Sequence, residues 1–191
     1  MELNQFRRSA DEKLSGKWGE AAIGYFIFSL VVGFITSIGG VGMLILGGPL
    51  MFGYALFIDE IYRGERPNIN TLFKGFSDRL TDLILLGLLS QVYLMLWSLL
   101  FIIPGIIKSY SYSMIYYIKL DNPDMHYEDV ITRSRKIMDG NKWRLFCLYL
   151  SHIGWYFLVF LTGGILIFWV EPKVQLAKYA FYQEIKHNYH Q

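Results

Sequence analysis

A chain of 191 residues that is 53% apolar, 17% aromatic and only 18% charged is too poor in charge for an ordinary water-soluble domain. Its net charge of +2 is too small for the electrostatic footprint of a nucleic-acid binder, and its single cysteine excludes an intrachain disulfide framework. The mean hydropathy of +0.31 points instead to a membrane protein.

Residues 2–15 place Leu3, Phe6, Ala10 and Leu14 at helical spacing, with Arg7, Arg8, Asp11, Glu12 and Lys13 around them. That pattern predicts an amphipathic helix lying in the membrane interface. Charges of both signs here, and no small-residue cleavage site after the first apolar run, argue against a cleaved leader. Trp18 follows as an interface anchor. Residues 19–38 are apolar after Glu20 and long enough to cross a hydrocarbon core of about 30 Å. The glycines of GGVGMLILGGP lack the Lys-Ser/Thr of a phosphate loop and read as an outer turn, after which residues 49–63 return.

RGERPNINTLFKGFSDRL is a second amphipathic element, with Ile69, Leu72, Phe73, Phe76 and Leu80 on one face and Lys74 and Arg79 off it. Residues 83–103 form a third span that turns at Pro104-Gly105, and the Ser/Tyr-rich stretch from Pro104 to Asp121 forms a fourth. A turn at Asp121-Asn122-Pro123 leads into a third amphipathic helix. It carries Tyr127, Val130, Ser134 and Met138 on its stripe, with Arg133, Arg135 and Lys136 facing water. Trp143 anchors the fifth span, residues 143–161. Thr162-Gly163-Gly164 turns the chain, and residues 165–185 are the sixth.

The halves of this pattern repeat. Arg8-Ser9 and Lys17-Trp18 recur at one constant offset as Arg133-Ser134 and Lys142-Trp143, and Tyr54-Ala55 recurs at the same offset as Tyr179-Ala180. A second offset takes Tyr54, Arg63 and Pro67 to Tyr110, Lys119 and Pro123. The reading is therefore an all-α, polytopic membrane protein. It is a single domain over residues 1–191, built as three units (about 1–66, 67–122 and 123–191), each an amphipathic helix plus a helical hairpin. The turns near Gly39, Pro104 and Gly163 hold no Lys or Arg, whereas the connections and both termini hold nearly all of them. The positive-inside rule then predicts six spans with both termini cytoplasmic.

IIPGIIKSYSYSMIYYIKLDNPD, followed by RSRKIMDGNKWRLF and the SHIGW run, resembles the bacterial DUF975 family of uncharacterised integral membrane proteins. The GNKWRLF stretch is also similar to the membrane domain attached to some glycerophosphodiester phosphodiesterases. The resemblance implies a multi-pass protein of the bacterial cytoplasmic membrane and carries over no catalytic residue.

No Ser/His/Asp grouping or HExxH stands in the sequence, and His187 and His190 form an HxxH without further ligands, so neither a metal nor another cofactor is expected. The sharper signals are polar groups at membrane depth: Gln91, Lys108, His152, Glu171 and Lys173. Lys108 reads as reaching outward from near the outer end of its span. Glu171 and Lys173, either side of Pro172, read as a broken helix with self-neutralising charges. Gln91 and His152 read as bonds between neighbouring helices, and the alternative for all five is a polar site on a substrate or proton path. Equal depth on adjoining spans also makes contact between His152 and Glu171 an expectation. Arg7, Arg8, Lys74, Arg79, Arg133, Arg135 and Lys136 form a candidate face for anionic lipid headgroups or a protein partner, a second copy of the chain included, and Trp18 and Trp143 are the interface anchors. Three function classes follow: a non-enzymatic envelope scaffold or docking protein, which the sequence favours, a small transporter or transporter subunit, and a lipid-modifying enzyme.

Overall fold

Backbone N–H and C=O groups in lipid must bond within their own segment, so long apolar runs become helices. The computed structural model describes residues 3–37, 40–77, 79–100 and 102–189, and these form α-helices joined by short turns and one 3-10 helix. In chain order they are α1 (Leu3–Leu14), α2 (Trp18–Ser37), α3 (Gly40–Arg63), the 3-10 helix (Ile69–Phe76), α4 (Leu80–Leu100), α5 (Ile102–Ser111), α6 (Ile115–Asp121), α7 (Tyr127–Ile137), α8 (Lys142–Leu150), α9 (Ile153–Leu161) and α10 (Ile167–Tyr189). The turn expected near Gly39 and the His190 half of the HxxH lie outside the described residues.

α2 and α3 form a hairpin. Phe28 stacks on Tyr54 with ring centroids 4.4 Å apart, and the Lys17 ammonium donates to the Glu65 carbonyl at 2.7 Å across the open end. α3, α6 and α10 meet in the core. The Tyr179 hydroxyl donates to Asp59 at 2.5 Å, and Tyr182 and Lys186 donate to Asp121 at 2.5 and 2.7 Å. The ends of two returning helices are thus tied to the third.

Burial is uneven along these helices, and the unevenness locates the lipid. Leu50, Phe57, Ile58 and Ile61 of α3 and Leu176, Tyr179, Phe181 and Tyr182 of α10 are buried. By contrast α9, IGWYFLVFL, buries none of its residues, and Phe34, Met95, Leu99 and Phe160 are each more than half exposed. A large apolar side chain left in water forgoes about 1.5–3 kcal/mol. An apolar helix with so little protein cover is therefore embedded in lipid. Among the described residues, four stretches are long and apolar enough to cross a membrane: Trp18–Ser37, Val41–Arg63, Leu80–Leu99 and Lys142–Leu161. The other two expected spans are outside this set: the Ser/Tyr-rich stretch of α5 and α6 carries Lys108 and Lys119, and α10 carries Glu171, Lys173 and Lys178 along its length.

The amphipathic segments take different partners from those expected. α1 runs antiparallel along α10, Phe6 meeting Phe181 edge-on and Asp11 pairing with Lys173, so Phe6, Ala10 and Leu14 are buried by protein and not by lipid. The second segment is a 3-10 helix. Its tighter winding turns Thr71, Leu72 and Gly75 inward and leaves Ile69 and Phe73 exposed, so the single face predicted at 3.6-residue period is split. In α7 the buried set is Val130, Ile131, Ser134 and Ile137, with Met138 at its cap, close to the predicted stripe.

Candidate functional site

The five polar residues expected at membrane depth do not form one site. Gln91 is half-buried on α4 facing α3, where its amide nitrogen would come 3.6 Å from a Cβ at Gly47. The other four fall into three separate environments.

Lys108 belongs to a basic pocket. The Ser134 hydroxyl of α7 donates to the Ser111 carbonyl at the end of α5 at 2.8 Å, which lays the charged flank of α7 beside Lys108. The pocket, of about 340 Å³, gathers Lys108, Arg135, Lys136 and Lys142 with Ser111, Thr132 and Asp139. None of the four cations makes an ion pair among the described residues, although Asp139 lines the same wall. The Lys108 ammonium lies 4.4 Å from the centre of the Trp97 ring, which holds it partly out of water. Trp97 stands on α4 near the expected outer turn, and Lys108 also lines the pocket with Arg135 and Lys142. Apolar surface borders the pocket: Ile107 is exposed, and Trp143, exposed as an interface anchor would be, stacks on Phe146 at 5.1 Å.

Glu171 and Lys173 do not neutralise each other. Pro172 sits inside a continuous α10, so residues 171 and 173 are about 200° apart around the axis and face different neighbours. Glu171 accepts from the Tyr156 hydroxyl at 3.0 Å and from the Gln175 amide at 2.9 Å. Lys173 pairs with Asp11 at 2.7 Å and lies 4.7 Å from the centre of the Trp155 ring. The expected contact of His152 with Glu171 is likewise replaced: the tyrosine one turn further along, Tyr156, takes that place. His152 is fully buried in the turn between α8 and α9, where its Nδ1–H donates to the Leu148 carbonyl of its own helix at 2.9 Å. Its Nε2 has no partner among the described residues, and the charges acting on it are those of Arg7, Lys173 and Asp11. It bonds no neighbouring helix.

The remaining basic residues are dispersed. Lys74 pairs with Glu60 at 3.6 Å, Arg79 with the exposed Asp124 at 2.7 Å, and Arg133 donates to Asn122 at 3.4 Å. Arg7 is half-buried, Arg8 exposed and Trp18 half-buried at the start of α2. Of the seven headgroup candidates only Arg135 and Lys136 converge.

A third feature escaped the sequence reading. Glu171, Gln175 and Lys178 stand at i, i+4 and i+7 on one face of α10, a spacing that was visible in the sequence. They face tyrosines from several helices. The Tyr117 hydroxyl donates to Gln175 at 3.4 Å, and the Lys178 ammonium lies 5.4 Å from the centre of the Tyr117 ring.

No curated protein and no solved structure matches the chain. A family model does, over residues 100–189, and its description is Protein of unknown function (DUF975). The matched stretch contains Lys108, Arg135, Lys136, Lys142, Glu171 and Lys178, and over it the chain is similar to the DUF975 family.

Proposed function

We propose that this protein is a non-enzymatic, multi-pass scaffold of the bacterial cytoplasmic membrane that holds an anionic lipid headgroup in the pocket of Lys108, Arg135, Lys136 and Lys142. The convergence of these cations from α5, α7 and the start of α8 carries the reading. Unpaired cations beside exposed Ile107, Trp143 and Phe146 suit a ligand with a phosphate at one end and acyl chains at the other. Because α1 and α7 spend their apolar faces on the chain itself, they form a fixed layer against which a partner or a second copy could dock.

Phosphatidylglycerol is expected to raise the thermal midpoint of the detergent-purified protein more than phosphatidylcholine does, and added salt should erode the difference. At about 1 kcal/mol per charge, the triple variant R135Q/K136Q/K142Q should lose on the order of 3 kcal/mol of that preference. Equal stabilisation by the two lipids would sink the proposal. Stabilisation by inorganic phosphate alone would assign the pocket to a soluble anion.

The six-span layout with three repeated units and cytoplasmic termini belongs to the same proposal. In a Cys147→Ser background, a single cysteine at 163 should react with an impermeant thiol reagent in intact cells and those at 68 and 124 should not; six spans require 104 to react as well, although it lies only about 6 Å along the axis from Lys108 of the basic pocket. Labelling at 163 without labelling at 104 would replace the middle crossing by a hairpin that turns back inside the bilayer. The transporter reading has one observation in its favour, the polar face of α10 within the bundle, and flux into proteoliposomes tests it.

A further inference from the structure

A cleft of about 250 Å³ opens between α3, the α5–α6 turn and α10, with Tyr54, Met51, Tyr112, Tyr117, Gln175 and Lys178 on its walls. Two groups there are chemically unfinished. Tyr54 is only 5% exposed, yet its hydroxyl has no hydrogen-bond partner among the described residues. A buried hydroxyl without a partner forgoes about 1–3 kcal/mol, so such a group calls for an acceptor or donor to complete it. Lys178 makes no ion pair among the described residues, and its one ring contact is with Tyr117. The acid on its own face, Glu171, is two helical turns away, roughly 10 Å along the axis. It is already engaged by Tyr156 and Gln175.

We propose that this cleft binds a small organic monocarboxylate. The ligand's carboxylate would accept from the Lys178 ammonium and the Tyr54 hydroxyl, and its apolar body would lie against Met51 and Tyr112. The sign of the charge follows from Lys178, which repels a cation. A single cation among tyrosines leaves a dianion such as a phosphate monoester half-compensated, and burying unpaired charge is costly. Size sets the class. The volume lies below the ~300–1,000 Å³ of sites for drug-sized ligands, which leaves room for a molecule on the order of ten non-hydrogen atoms and excludes a nucleotide. The apolar walls exclude a bare inorganic anion, which would leave them uncovered. This inference is independent of the basic pocket, which lies on another face of α5.

Isothermal titration of the full-length protein in mild detergent, with benzoate as the probe, tests the assignment. Benzoate should bind saturably, and benzylamine, which carries the opposite charge on a similar body, should not. Lys178→Met should weaken benzoate at least tenfold, Lys178→Arg should restore most of it, and Tyr54→Phe should weaken it several-fold. Thermal midpoints establish that each variant is folded. R135Q/K136Q/K142Q should bind benzoate like the wild type, so failure at one site is separable from failure at the other. No saturable benzoate heat with the folded wild type would overturn the proposal. So would equal binding of benzylamine, unchanged affinity in a folded Lys178→Met, or binding of palmitate without benzoate.

Discussion

Gly53→Ala should leave little folded protein, because the added carbon would overlap the backbone carbonyl of Leu72 in the 3-10 helix. The same contact is sealed from the other side, where a Cβ at Gly75 would overlap the Pro49 carbonyl of α3. Two glycines, one on each element, let the backbones touch, and neither obstacle is a flexible side chain that could swing aside. Overpacking in a core costs about 1–3 kcal/mol where side chains can adjust; against backbone the loss should be about 3 kcal/mol or more, a large share of a typical 5–15 kcal/mol of total stability. Separation would also break the polar anchor of this element. There Glu60 accepts from the Asn68 amide at 3.0 Å and the Thr71 hydroxyl at 2.7 Å. Gly33→Ala on α2 is the control. Nothing lies within 4 Å of its added carbon, and a helical Gly→Ala change gains up to about 1 kcal/mol. Gel filtration in detergent and thermal midpoints of the two variants decide. A Gly53→Ala protein that elutes and melts like the wild type would mean that the 3-10 helix is not packed on α3 as described.

The contrast between these glycines shows what could be read from the sequence. Gly33 and Gly53 both sit in apolar runs, and nothing local distinguishes the one in open space from the one in backbone contact. Helices and apolar stretches were legible because hydropathy and length act locally, and the runs at Trp18–Ser37 and Lys142–Leu161 were placed to within a residue or so. The positions of charges around a helix were less legible. Pro172 suggested a break, but a proline removes only one i→i−4 bond, and the packed helix absorbs that loss. α10 runs on, and Glu171 and Lys173 take opposite sides. Lys108 lies a few residues from a turn, and its company in the basic pocket comes from the Ser134–Ser111 bond that brings α7 alongside. Lys178 went unremarked because it lies near a charged tail, although its spacing from Glu171 and Gln175 put all three on one face. Partners distant in the chain decided each of these, and a single sequence does not display them.

The clearest instance is α1, whose pattern fits a helix on a lipid surface and whose structure makes it a brace for α10. Asp11→Ala should cost about 2 kcal/mol, Lys173→Met about half as much, and the double variant little more than Lys173→Met alone. The asymmetry comes from burial: the Lys173 side chain is 8% exposed and that of Asp11 is 47% exposed. Removing Asp11 strands an ammonium in a nearly closed site with only the Trp155 ring beside it, and breaking a buried pair in this way can cost 3–5 kcal/mol. The figure is set lower here because water reaches the carboxylate side and the ring returns part of the loss. Removing Lys173 instead leaves Asp11 free to turn to solvent, and methionine keeps the stem packed. Once the ammonium is gone, Asp11 has no work to do, so the second change adds little. Thermal midpoints for the four members of the cycle give the coupling directly. A coupling near zero, with Asp11→Ala as stable as the wild type, would put α1 on the lipid surface and leave Lys173 to the face of Trp155.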